Sequence, residues 1–280
     1  MKCPVCGGKT GRFLVKNEIM VNRCLNCGLA FAVGNFQNVE TVYDKAYYDR
    51  YESYFQWNPE VETVHNRRLS SIEKHIELKG KLLDVGCATG HFLKIARERG
   101  WEVKGVEISA FSVDQARKQY RLDVQTGTLE TVNLPDNFFD VVTMWDVLEH
   151  LPDPMKTITE ARQILKKGGV LALSTVNIAS LNAWLQKEKW RYLYPPEHLF
   201  YFTPKSLKKI LHDYKFSNLS FKTHFALHAV IESIQNEKNK QDKMLNFAQE
   251  YLKPLKKIRD GLLKIYPFGD IIEVIARKLN

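Results

Sequence analysis

The sequence predicts an α/β fold: a doubly wound sheet flanked by helices, preceded by a small cysteine-stapled module and a helical segment. Three observations carry this. Four of the five cysteines stand as two Cys-x-x-Cys pairs, Cys3–Cys6 and Cys24–Cys27, each followed by glycine. From Lys81 onward, short apolar runs alternate with segments of helical periodicity, as in a parallel sheet with right-handed crossovers. The first of those runs ends near Asp84 and leads through Gly86 and Gly90 into a helix, a turn that lets backbone approach a ligand closely.

Composition bounds the alternatives. With 280 residues, 44% hydrophobic and 26% charged, the chain can bury a real core, which excludes wholesale disorder. No apolar run reaches the ~18 residues of a membrane span, and Met1-Lys2-Cys3-Pro4 opens no signal-peptide stretch. A soluble, cytoplasmic protein is expected. The net charge of +9 suits nucleic acid, anionic lipid or an anionic metabolite, and selects none of them.

Residues 1–34 read as a zinc ribbon. In a reducing compartment, paired Cys-x-x-Cys elements are metal ligands before they are disulfides. Two residues between thiolates let one tight turn aim both sulfurs at one ion, and two such turns complete a tetrahedral site from Cys3, Cys6, Cys24 and Cys27. The segment between them, with Arg12-Phe13-Leu14-Val15, suffices for a β-hairpin. A pair of redox motifs is the alternative, but no strand–helix context accompanies either pair. A closed four-sulfur shell has no open position, so the expected zinc is structural.

Residues 35–79 read as a helical lid. Tyr43, Tyr47, Tyr48, Tyr51 and Tyr54 are followed by Trp57, and Leu69, Ile72 and Ile76 fall at helical spacing before a stop at Gly80. Tyr47 and Tyr48 are the candidates to close over a ligand.

The alternating region then runs in order. Leu82 to Val85 is a buried strand, and Phe92, Ile95 and Ala96 mark a helix face ending before Gly100. Trp101 to Glu107 is a second strand. Ser109 is a candidate cap for a helix with Val113, Ala116 and Tyr120 on one side. Phe139 to Met144 is a further strand, followed by a helix through Met155, Ile158, Ala161 and Leu165, a Gly168-Gly169 turn and the strand Val170 to Leu173. An aromatic segment runs on to Tyr201. Thr203-Pro204 starts a helix with Leu207, Ile210, Leu211 and Tyr214 on its buried stripe. Residues 226–266 read as a basic helical insert, kinked at Pro254, and Asp270 to Ile275 as a final strand.

Glycines at 86 and 90 depart from the Gly-x-Gly-x-x-Gly of a dinucleotide site. A carboxylate at Asp84 suits an ammonium or hydroxyl better than a pyrophosphate. Glu107, at the end of the second strand, is placed to accept hydrogen bonds from ribose hydroxyls.

Over about residues 80–280 these motifs resemble the class I S-adenosylmethionine-dependent methyltransferases. Asp84-x-Gly86-x-x-x-Gly90 looks like the first motif of that family, and Glu107 like its ribose-binding acid. Gly127-Thr128-Leu129 corresponds to the segment flanking the adenine. Phe139-Asp140-Val141-Val142 and Leu148-Glu149-His150-Leu151-Pro152-Asp153-Pro154 look like the fourth strand and its trailing loop, and Leu165-Lys166-Lys167-Gly168-Gly169 like the turn before the fifth. Ala88 replaces a commoner glycine, and Thr128 stands where an acid often meets the adenine amine. The resemblance implies a Rossmann-like sheet of seven strands with the last antiparallel. It also implies S-adenosyl-L-methionine as cofactor, held by Asp84, Gly86, Cys87, Gly90, Glu107, Ile108, Thr128, Leu129 and Trp145.

Methyl transfer leaves the protein to orient the acceptor and take its proton. The motif that accompanies methylation of base exocyclic amines is absent, since Trp145-Asp146-Val147-Leu148 occupies its place. Cys87 is the only cysteine near the cofactor motif, so a cysteine-nucleophile route to pyrimidine carbon is unsupported. The candidate acceptor loop is Tyr194-Pro195-Pro196-Glu197-His198-Leu199-Phe200-Tyr201, with His198 beside Glu197 as general base. A loop-anchoring role for His198 stays open. Similar segments recur in methyltransferases acting on small and sugar-like acceptors. Trp184, Trp190, Tyr192, Tyr194 and Tyr201 supply faces for a planar substrate or a sugar ring.

The expected function is methyl transfer to a hydroxyl or carbon of a small molecule, sugar-like or quinone-like. An RNA methyltransferase using the ribbon is the second reading, although Lys2, Lys9, Arg12, Lys16 and Arg23 form no dense basic-aromatic stripe. A non-catalytic scaffold with a protein-docking ribbon is the third. In the insert, an apolar stripe flanked by Lys253, Lys256, Lys257, Arg259 and Lys264 would cap the acceptor pocket, pair two copies as a homodimer, or rest peripherally on an anionic membrane through 245–266.

Overall fold

A computed structural model describes residues 1–36, 59–224 and 269–280. The lid tyrosines, Tyr47 and Tyr48 included, and the insert 226–266 lie outside the described residues. Three short strands open the chain: β1 (Thr10–Lys16), β2 (Ile19–Cys24) and β3 (Ala30–Val33). After α1 (Pro59–Glu73) come β4 (Lys81–Val85), α2 (His91–Glu98), β5 (Glu102–Glu107), α3 (Ala110–Tyr120) and β6 (Val124–Thr126). β7 (Phe139–Trp145), α4 (Pro154–Ile164), β8 (Leu165–Val176), α5 (Leu181–Gln186) and β9 (Phe200–Tyr201) follow. α6 (Pro204–Asp213), β10 (Phe216–His224) and β11 (Ile271–Lys278) complete the set.

Seven strands form the main sheet in the order β10-β11-β8-β7-β4-β5-β6. β4 to β8 run parallel, while β11 is antiparallel to both β8 and β10. The chain is therefore Rossmann-like with its last strand reversed, as the motifs imply. Helices cover both faces, which shows in the strands themselves. Leu83, Val142, Met144, Leu171 and Leu173 enter one core, whereas Leu82, Val141, Val170 and Ala172 enter the other. Burial of alternate residues on opposite sides is what makes these strands read as continuous apolar runs.

Local chemistry starts the helices. The Ser109 hydroxyl accepts from the Ser112 amide ahead of α3, and Asp153 accepts from Lys156 ahead of Pro154. Thr203 and Ser206 form a reciprocal capping box at the head of α6.

The structure departs from the sequence expectations in four places. α1 stops at Glu73 rather than at Gly80. Gly80 answers to a different demand: a Cβ there would collide with the Asp140 carboxylate, which accepts from the Lys81 amide. Gly168-Gly169 makes its turn inside β8 rather than between elements, as a bulge between Leu165 and Val170 that shifts the register against β7 and leaves Gly168 left-handed (φ 73°). β6 and β10 complete the expected seven strands, but no sequence pattern locates them. β6 is only three residues long, and β10 is an edge strand whose residues are mostly half-exposed, so neither leaves an apolar run.

The N-terminal hairpin turns at Asn17 and Glu18, both left-handed (φ 50° and 63°), and joins β1 to β2. β3 extends this small sheet and then pairs with β9, Ala30 opposite Tyr201 and Phe31 opposite Phe200. The fourth strand of the N-terminal sheet thus comes from the loop that carries His198. No helix among the described residues is long and apolar enough to cross a membrane.

Candidate active site and four-cysteine cluster

The turn after β4 is fixed from both sides. Gly86 (φ 71°) and Gly90 (φ 84°) are left-handed, and a Cβ would meet Val147 at 2.6 Å and Leu122 at 2.5 Å respectively. Side chains are excluded there by conformation and by space alike. The Gly86 and Cys87 amides both donate to the Val106 carbonyl, lacing the turn to β5. Ala88 is itself left-handed (φ 48°), which explains why glycine would also suit that position.

Two carboxylates frame this turn. Asp84 is buried and accepts from the Thr143 hydroxyl of β7 at 2.5 Å. Burial pushes its carboxyl up to about 7, against the pull of Thr143 and Arg68. Glu107 accepts from the Ala88 amide with one oxygen and from the Ser109 amide with the other, each at 2.9 Å. It therefore shapes the turn. A carboxylate has about four lone-pair sites, so ribose hydroxyls remain compatible with this role.

The other expected cofactor residues are distributed around this centre. Ile108 is half-buried beside Glu107. Thr128 spends its amide and hydroxyl on Thr131, closing the turn after β6, and Leu129 is buried in the core. Cys87 is buried, and burial with Asp84 and Glu107 nearby drives its thiol well up, so it packs as a neutral group. Trp145 ends β7 against Phe92, and its indole N–H has no partner among the described residues.

Sequence reasoning missed Arg68. From α1 its guanidinium lies 4.4 Å over the Trp145 ring, and it pairs with Asp146 at 3.1 Å and Glu273 at 3.3 Å. It is a buried charge on the helix that also buries Leu69 and Ile72. Its signal in the sequence is only the doublet Arg67-Arg68.

The acceptor loop differs from its expected chemistry. Glu197 and His198 do not form a dyad: the Glu197 carbonyl takes the His150 Nδ1 proton at 2.8 Å, and His198 Nδ1 donates to the Tyr192 carbonyl at 2.7 Å. Burial pushes His198 down to about 3, so it is a neutral imidazole and not a base near its working pKa. The buried acid here is Glu149, which accepts from Thr175 and which burial and Asp146 push up to about 8. Glu149, His150 and His198 offer ligand atoms that all lie within 4.8 Å of one another, a group able to share a proton or hold a cation. Of the five aromatics expected around the loop, Trp190 and Tyr201 are core residues, whereas Trp184 (71% exposed) and Tyr194 point outward. Only Tyr192 stacks on His198.

The four-cysteine cluster is assembled. Cys3 and Cys27 sulfurs are 3.7 Å apart, Cys6 and Cys24 sulfurs 3.4 Å. Ligands at about 2.3 Å in a tetrahedron stand roughly 3.8 Å from one another, so the donor set fits zinc. The Asn26 and Cys27 amides both donate to the Cys24 sulfur, and with the neighbouring thiols these bonds lower its proton affinity despite burial, whereas burial raises that of Cys3 and Cys27. The glycines after each pair, Gly7 and Gly28, are needed for left-handed φ (67° and 76°). Space is also tight at Gly28, where a Cβ would lie 3.1 Å from the Thr203 methyl, and at Gly8, where it would lie 3.2 Å from the Cys6 sulfur.

Residues 58–220 match a family model described as a methyltransferase domain. A ubiquinone biosynthesis O-methyltransferase of Coxiella burnetii is 32% identical over 169 residues, covering 56% of this chain and 68% of that protein. Among solved structures, a SAM-dependent methyltransferase from Archaeoglobus fulgidus superposes with TM-score 0.57 at 22% identity, over 83% of this chain and all of that one. Phosphoethanolamine N-methyltransferase 2 of Haemonchus contortus, in complex with S-adenosyl-L-methionine, gives TM-score 0.51 at 19% identity, over 77% and 53%.

Proposed function

The chain belongs to the methyltransferase-domain family and is an S-adenosylmethionine-dependent methyltransferase; from that premise we propose that it methylates a hydroxyl of a quinone-like phenolic small molecule. The observation that carries the acceptor class is the 32% identity with an enzyme named a ubiquinone biosynthesis O-methyltransferase. The bound cofactor would supply a methyl group already activated on a sulfonium, so the residues of this chain need only bind, orient, exclude water and accept a proton.

Asp84 faces the cofactor's ammonium in this proposal, and its own elevated proton affinity falls when that cation arrives. Glu107 serves the ribose through the lone pairs that Ala88 and Ser109 do not use, and the Gly86–Gly90 turn contributes its bare backbone. Phenols ionise near pH 10. A carboxylate held at about 8 by burial is better matched to that proton than an imidazole held at about 3, so Glu149 is the proposed base. His198, kept neutral, orients the acceptor hydroxyl, and the Tyr192 ring stacked on it flanks a planar substrate. The four thiolates hold a structural zinc ion, supported by the fit of their spacing.

Mass spectrometry of products from labelled S-adenosylmethionine tests the acceptor class, with hydroxylated polyprenylphenol analogues, sugar nucleotides and RNA offered in parallel. A methyl ether on the phenols is expected. Methylation of sugar or RNA with none on any phenol overturns the proposal.

A further inference from the structure

The loop that bears His198 has little regular structure of its own: between Trp190 and Thr203 only Phe200–Tyr201 forms a strand, and that strand belongs to the N-terminal sheet. The sheet end holds part of it, through the Leu199 amide on the Glu149 carbonyl, His150 on the Glu197 carbonyl and the Trp190 indole on Asp270; the cysteine module supplies the rest. The Ala32 amide of β3 donates to the Leu199 carbonyl at 2.8 Å. The Asn17 side chain, at the tip of the hairpin, donates to the Pro195 carbonyl at 2.7 Å. The Thr203 hydroxyl donates to the carbonyl of Cys27, itself a member of the cluster, at 2.7 Å.

Both faces of the small sheet are also committed. On one side Cys24, Cys27, Leu29 and Phe31 share a core with Phe200 and Phe202. On the other, Leu14, Val21 and Ala30 pack with Trp190, Leu193 and Tyr201. Tyr201 is fully buried, and its hydroxyl donates to the His198 carbonyl at 2.9 Å. A chain of contacts therefore runs from the second cysteine turn through Thr203 and Tyr201 to His198.

We propose that the metal-bound ribbon is a positioning part of the acceptor site: it sets the course of residues 190–203, and with it the placement of His198, while leaving the cofactor site untouched. This rests on the reading that the four thiolates bind zinc and that the loop faces the acceptor. The ribbon's metal then acts on the loop through Cys27 and Thr203, and the ribbon's backbone acts through Ala32.

Hydrogen exchange of the full chain tests this, followed by mass spectrometry with zinc bound and after chelation under reducing conditions. Zinc content is measured in parallel, and S-adenosylmethionine affinity by calorimetry. Stripping the metal should accelerate exchange across 190–203 at least tenfold, leave residues 81–107 protected, and change cofactor affinity by less than twofold. Two variants keep every cysteine and remove single contacts. Ala32→Pro deletes the donor to Leu199, and Asn17→Gly keeps the left-handed turn while deleting the bond to Pro195; each should loosen the same loop selectively. Unchanged loop exchange in the stripped protein overturns the proposal, as does equal loosening at 81–107. If stripping unfolds the whole chain, the two variants decide, and unchanged loop exchange in both overturns it. Protein that takes up no zinc at all removes the thiolate reading instead, a result distinct from any of these.

Discussion

His150 and His198 meet edge to face with ring centroids 4.6 Å apart, and each commits its Nδ1 proton to a backbone carbonyl. In a neutral imidazole that choice leaves the lone pair on Nε2. The two rings are thus fixed in tautomer as well as in place, beside the buried carboxyl of Glu149. Replacing Glu149 by Gln should lower turnover about 10²–10⁴-fold, the usual yield of a general base. His198→Asn should cost about tenfold or more, with cofactor affinity within twofold in both variants. Steady-state kinetics and calorimetry check this. Undiminished turnover in Glu149→Gln would remove it as the base.

Cofactor affinity should depend on pH through Asp84. Its carboxyl titrates at about 7 in the free protein, so below that value binding a cation requires it to give up a proton. Affinity should tighten by up to about tenfold per unit between pH 5.5 and 7, since one proton is released. Asp84→Asn should bind weakly and nearly independently of pH over that interval, which titration calorimetry at several pH values measures.

Stability should also vary with pH, in three regimes. Asp84 and Glu149 titrate at about 7 and about 8 when folded but near 4 to 4.5 when unfolded, so the folded chain holds extra protons and loses stability as pH rises through that window. His198 and His65, which burial lowers to about 3 from 6.5, act oppositely and add stability as pH rises to 6.5. Glu273 resists its burial through His224, Arg68 and Arg67, sits at about 2, and loses its contribution as pH falls toward that value. His75, His91 and His150, also lowered by burial, add to the histidine side, so melting temperature should climb from acid to about 6.5 and decline again to 8. Glu149→Gln should flatten the alkaline decline in a thermal melt series.

Gly86→Ala should damage both fold and binding. Left-handed φ alone costs about 1–3 kcal/mol for a residue with a side chain, and Val147 lies 2.6 Å from the new methyl. Adding Val147→Ala should recover the packing share of the lost stability but not the conformational share. Complete recovery in the double variant would show that φ at this position is not the constraint.

Much of the sheet was legible because its strands are buried on both sides and so appear as apolar runs between helix signals: Leu82 to Val85 and Phe139 to Met144 are found where the pattern puts them. The same logic hides β10, whose edge residues are mostly half-exposed with no clear alternation, and β6, which is too short to show a period. Helix starts were readable at Ser109 and Thr203, since a capping hydroxyl is a local device. The cysteine pairs were readable for the same reason. The acceptor site was less so. Adjacency in sequence suggested Glu197 with His198, yet the carboxyl beside that imidazole is Glu149, brought there by the end of β7. Nothing local to Ala32 or Asn17 signals that they hold a loop far along the chain, because those bonds are set by tertiary docking alone.

The hairpin of β10 and β11 carries a further consequence. His224 pairs with Ile271 at the carboxyl end of the sheet, and Gly269 lies so near the His224 backbone that a Cβ would overlap it. The backbones of His224 and Gly269 therefore touch, like the two sides of a doorway. A segment hung from adjoining posts can be lengthened, shortened or exchanged at a cost that grows only slowly with its length, and strand register is not disturbed. A change of length between His224 and Gly269 should therefore leave the turn that Asp84 and Glu107 frame as it is.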